Sequence, residues 1–89
     1  MKAIITVVGK DKVGIISGVC NYLSNATINV LDISQTIVDA YFNMLMIVDL
    51  SQCDLPFDAL THGLDNLAQE LGVNITMQRE DIFTSMHRI

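Results

Sequence analysis

The stretch Tyr41–Leu50, YFNMLMIVDL, constrains the fold more than any other. Phe42, Met44, Met46 and Val48 alternate onto one side of an extended chain, and Leu45 and Ile47 onto the other. A strand that is apolar on both faces belongs in the middle of a sheet, with cover above and below. One neighbour is Lys2–Val8, KAIITVV, rich in β-branched residues and ended by Gly9, with Ala3, Ile5 and Val7 set against Ile4 and Val8. Another is Asn29–Val38, in which Leu31, Ile33 and Ile37 oppose Asp32, Ser34 and Thr36. Asp39-Ala40 joins this strand to the central one as a tight hairpin turn. A fourth strand is expected over Asn74–Arg79.

Two helical patterns supply the cover. From Val13 to about Asn25, the residues Val13, Ile16, Val19, Cys20 and Leu23 recur three or four apart. After Pro56, which suits a first helical turn, Phe57, Leu60, Leu64, Leu67 and Leu71 follow at spacings of 3, 4, 3 and 4 until Gly72. Two heptads are too few for a coiled coil, so this stripe reads as a core face. The second helix would be roughly 24 Å long at ~1.5 Å per residue. A seven-residue strand spans about 23 Å, so the layers match. The order βαββαβ predicts an α+β, ferredoxin-like fold: a four-stranded antiparallel sheet in the order 4-1-3-2, with both helices on one face. Residues 1–80 form this domain. Residues 81–89 form a tail in which Ile82, Phe83, Met86 and Ile89 predict one short docking helix.

Charge and motif spacing exclude several functions. A net charge of −5 argues against nucleic acid and against anionic membranes, both of which recruit lysine and arginine. No stretch approaches the ~20 apolar residues of a membrane span, and the opening apolar run is too short for a signal peptide, so a cytoplasmic protein is expected. Cys20 and Cys53 share no motif, and with His62 and His87 they give no zinc spacing. Cys20 reads as a small core residue, Cys53 as a loop thiol and His62 as solvated. Asp32 and Asp49 lack an adjacent histidine, serine or ligand set that would give them a reaction. No catalytic residue, metal site or cofactor is expected.

The stretch VGKDKVGII, Val8–Ile16, joins the first strand to the first helix. Gly9 and Gly14 let the backbone approach a guest, and the residues from Val13 to Ile15 begin a helix with unpaired N–H groups. Those donors favour a carboxylate, by ~0.3–1 kcal/mol when exposed. Lys10 and Lys12 carry charge of the same preference, and Asp11 can meet an ammonium group. The competing reading is structural: Asp11 caps the helix, and Gly14 permits close packing of helix on sheet.

The turn Asp11-Lys12-Val13-Gly14-Ile15-Ile16, followed by Leu23 and by Asn29-Val30 opening the second strand, resembles the ACT domain family over residues 1 to about 80. Leu31–Thr36, LDISQT, narrows the resemblance to small stand-alone ACT proteins related to glycine cleavage system regulators. Val13 stands where a proline is common in that family, and Gly9 offers no side chain where some members use one. The resemblance implies sensing of an amino acid or similar metabolite, as a dimer, with Asp11 and Asn29 as contact residues. The candidate ligand-binding set is therefore Gly9, Lys10, Asp11, Lys12, Val13, Gly14, Ile15, Asn29 and Asp32. The rival is a dimerisation or adaptor module without a small-molecule site. Apolar strands on both faces also predict a homo-oligomer, a dimer or a tetramer.

Overall fold

A computed structural model describes residues 1–10 and 13–80. The elements are β1 (Lys2–Lys10), α1 (Ile15–Asn25), β2 (Asn29–Val38), β3 (Tyr41–Asp49), α2 (Phe57–Leu71) and β4 (Val73–Arg79). They form one four-stranded sheet in the order β2-β3-β1-β4, every neighbouring pair antiparallel. This is the ferredoxin-like arrangement expected from the sequence, with the two most apolar strands in the centre. The expected docking helix at 81–89, and the residues Asp11 and Lys12, lie outside the described residues.

The core sits between sheet and helices. Ala3, Ile5 and Val7 of β1, with Phe42, Met44, Met46 and Val48 of β3, have 2% exposure or less. Ile15, Val19 and Leu23 of α1 and Leu60, Leu64 and Ala68 of α2 close over them. The α1 stripe differs from the expected one. Gly14 holds a left-handed conformation at the N-cap (φ 97°), so the helix begins at Ile15 rather than Val13. The buried series is therefore Ile15, Val19, Leu23, while Ile16 stays exposed and Val13 is fully exposed. A Cβ on Gly14 would meet nothing within 4 Å. Its glycine serves the backbone angle, and the expectation that it packs helix on sheet is not met.

Gly72 ends α2 in the left-handed cap conformation, with its N–H on the Ala68 carbonyl. The end of α1 uses the same device without a glycine. Ile28 N–H reaches the Leu23 carbonyl at 2.9 Å and Thr27 N–H that of Ser24 at 3.1 Å, leaving Thr27 at φ 58°. This double bond pattern closes a helix with a left-handed residue, where glycine is normal and a β-branched side chain is strained. Replacing Thr27 by glycine should relieve a backbone cost of ~1–2 kcal/mol, partly offset by ~0.4–1 kcal/mol of extra unfolded-chain entropy. The net gain raises Tm by about 4 °C in thermal denaturation, and a lower Tm would contradict the strain.

The second face of the sheet is less open than the two-sided strands imply. Ile4 is buried there, outside the main core cluster, and Leu45 and Ile47 are half-buried. Exposed apolar surface instead collects on β2, all ten residues of which are exposed. Ile33 and Ile37 lie opposite Met46 and Phe42, on the helix side, yet remain 45% and 56% exposed. Leu31 has no register partner: the ladder skips it between Val30 and Asp32, a bulge that takes it out of the expected alternation.

Candidate functional site

β1 carries the chain to the Val8–Ile16 turn at the edge where Gly9 pairs with Phe42 of β3 and Val73 of β4. A Cβ on Gly9 would stand 2.7 Å from Val73 Cγ1 and 3.1 Å from its Cα. That glycine is required by the close pairing of β1 with β4. Lys10, exposed at the end of β1, pairs with Tyr41. Past the turn, Val13 and Gly14 are exposed, and Gly18 N–H bonds the Gly14 carbonyl at 2.9 Å to open the helix. The first turn of α1 holds no acidic residue, so nothing there competes with an incoming anion. Ile15 is 1% exposed and belongs to the core, leaving only its backbone for a ligand.

Asn29 and Asp32 lie elsewhere. Asn29 pairs with Asp49, which in turn pairs with Lys2, so it sits at the end of the sheet where β1 begins. Gly9 and Asn29 are thus separated by nearly the length of a strand, about 23 Å for seven residues. Each borders its own depression. That at Gly9, about 780 Å³, runs along α2 and β4 past Asp65, Gln69 and Asn74. That at Asn29, about 340 Å³, is lined by Cys20, Ser24, Thr27, Val30 and Gln52. Thr27 and Gln52 did not stand out in the sequence. The left-handed angle that marks Thr27 arises from the helix ending, which an Asn-Ala-Thr run signals only in general terms.

Asp32, on the sheet face away from the helices, turns its Oδ1 onto the N–H of Ile33 at 2.9 Å. Asp49 takes both the N–H and the hydroxyl of Ser51, at 3.0 and 2.6 Å. Those two bonds, with smaller help from the N-terminal ammonium and Lys2, hold its carboxyl below the ordinary value of 3.8. Both carboxylates are thereby engaged in local backbone geometry. Tyr22 donates to the Leu60 carbonyl at 3.4 Å, and burial, with Cys53 beside it, pushes its hydroxyl above 10.0. Cys20 and Cys53 are free thiols, each half-buried. Among the described residues no group of three or more His, Cys, Asp or Glu could hold a metal ion. No helix among them is long and apolar enough to cross a membrane.

The arrangement offers backbone donors at the start of α1, and amide and carboxylate side chains at the start of β2. The two halves do not meet within one chain.

Comparison with known proteins places this geometry among relatives. Residues 2–78 match the family model for the ACT domain. A UPF0237 protein of Bifidobacterium longum is 61% identical over 88 residues, covering 99% of this chain and 98% of the relative. The solved structure of an ACT domain protein from Streptococcus pneumoniae superposes with a TM-score of 0.83 at 44% identity, covering 93% of both chains. A putative glycine cleavage system transcriptional repressor superposes with a TM-score of 0.76 at 26% identity, over 88% of this chain and 44% of the other.

Proposed function

The chain belongs to the ACT domain family, and from that premise we propose that it is a regulatory module that senses an amino acid or related metabolite as a homodimer. ACT domains are regulatory small-molecule-binding modules in related proteins. The observation that carries the reading is the separation of the two half-sites combined with the free edge of β2. Gly9 and Asn29 lie at opposite ends of one protomer, while β2 ends the sheet with all its residues exposed. Antiparallel pairing of two β2 edges turns the start of each β2 toward the turn-bearing end of its partner. The half-sites of two copies then approach each other at the subunit boundary.

In this reading the ligand carboxylate meets the N–H groups opening α1, with Lys10 and Lys12 adding charge of the favourable sign. The ammonium group meets Asp11, and Asn29 and Asp32 contribute from the partner's β2. Regulation follows if the ligand binds one arrangement of the dimer more tightly than another. The domain works at residues 1–80, and the reaction class is none: it binds, without catalysis.

A thermal-shift screen against the amino acids tests this. A ligand at 100 times its Kd adds about 2.7 kcal/mol of stability. Asp11→Ala and Asn29→Ala should abolish that shift while the protein still sediments as a dimer at low micromolar concentration. Equal responses in wild type and both variants would remove the site assignment. The second reading, an adaptor without a ligand site, draws on the open surroundings of Gly14 and the full exposure of Val13. It predicts a flat response to all amino acids at millimolar levels.

A further inference from the structure

We infer that Asp32 sets the register in which two copies of this chain pair, confining the contact to Ser34–Val38 about a two-fold axis at Thr36. The inference rests on the dimer reading above and adds to it the residue that fixes the geometry.

The hairpin decides which backbone groups of β2 face outward. Val38 pairs with Tyr41 across a two-residue turn in which Asp39 and Ala40 have φ 51° and 67°. Two left-handed residues in succession make the mirror-image type I turn, whose flanking residues form a mutually hydrogen-bonded pair. Antiparallel ladders alternate, so Thr36 with Asn43 and Ser34 with Leu45 are also hydrogen-bonded pairs. The N–H and C=O groups of Ile33, Gln35 and Ile37 therefore point to the free edge.

Of these three N–H donors, one is already occupied. Ile33 N–H is bound to the Asp32 carboxylate at 2.9 Å. Immediately before it, the bulge at Leu31 breaks the alternation. Gln35 and Ile37 remain. With the two-fold axis at Thr36, Gln35 of each copy lies opposite Ile37 of the other, and four N–H···O bonds form without Ile33. An axis at Ser34 or Gln35 requires the N–H that Asp32 holds. An axis at Ile37 runs Gln35 into the partner's turn.

Charge favours the same register. Asp32 is the one charged residue of β2. An axis at Thr36 sets the two Asp32 carboxylates eight residues apart, about 26 Å at ~3.3 Å per residue, well past the ~8 Å screening length. An axis near Ile33 would place them side by side, where like charges repel. Ile37 and Val38, among the most exposed apolar residues of the strand, fall inside the paired segment.

The test is cross-linking in the Cys20→Ser/Cys53→Ser background. Thr36 faces its own copy at a non-hydrogen-bonded position, with Cα atoms about 4.5 Å apart, within disulfide reach. After mild oxidation Thr36→Cys should run mainly as a covalent dimer, and Ile33→Cys as a monomer. Adding Asp32→Ala should free the Ile33 N–H and raise cross-linking at Ile33→Cys several-fold. Stronger cross-linking at Ile33 than at Thr36 with Asp32 intact would overturn the register. So would a dimer in sedimentation that cross-links at neither position. A monomer in sedimentation would instead overturn the dimer reading, and the register with it.

Discussion

Phe42→Ala should lower the free energy of unfolding by about 3–5 kcal/mol, the cost of removing a buried aromatic ring. Phe42 is 2% exposed and is the largest of the fully buried side chains. It is also held from both sides: Gly9 of β1 and Ile37 of β2 are its register partners. With the sheet fixed on either side, the backbone has little room to collapse into the space left behind. A domain of this size has roughly 5–10 kcal/mol of total stability, so one substitution removes a large share. Urea unfolding followed by circular dichroism reads the loss directly. A change below about 1 kcal/mol would mean that the site collapses freely, against the packing described.

Gly9→Val should cost about 3 kcal/mol, at the upper end of overpacking effects. A Cβ at this position stands 2.9 Å from Val73 Cβ and 3.1 Å from Val73 Cα. The second contact is with backbone, which no side-chain rotation relieves. β1 and β4 must part locally, and their pairing from Ala3–Arg79 to Gly9–Val73 is disturbed at its last step. The result separates two roles for this glycine. Destabilisation without any ligand present assigns Gly9 to the sheet; a variant as stable as wild type would return it to the ligand turn.

The strands were legible in the sequence because their chemistry is periodic. Alternation in Tyr41–Leu50 and the β-branched run of Lys2–Val8 identify the two central strands, and the 3-4-3-4 stripe up to Gly72 identifies α2. α1 was legible as a helix but not in phase. Gly14 at φ 97° moves its start to Ile15, and a backbone angle at one glycine leaves no mark on the spacing of apolar residues. The bulge at Leu31 was hidden for a related reason: one unpaired residue alters which side chains face together without altering composition. The turn and the start of β2 were identifiable as candidate segments. Their placement at opposite ends of the protomer follows from α1 running back along the sheet. Gly9 was read as an approach for a guest, whereas its nearest demand comes from Val73, 64 residues further along the chain. Contacts of that range have no local signature.

β1, first in the chain, has β4, the last strand, as one of its two neighbours, with Ala3 opposite Arg79. During synthesis the β2–β3 hairpin, closed by two residues, can form as soon as it emerges, and β1 can join it. The other side of β1 then waits until Val73–Arg79 has been made. Contacts so distant in sequence close late and slowly. Through that interval a strand as apolar as Ala3–Val8 shows an unpaired edge, a template for other chains. Truncation before Val73 would make that interval permanent, so the last strand protects the newborn chain from its neighbours as much as it completes the sheet.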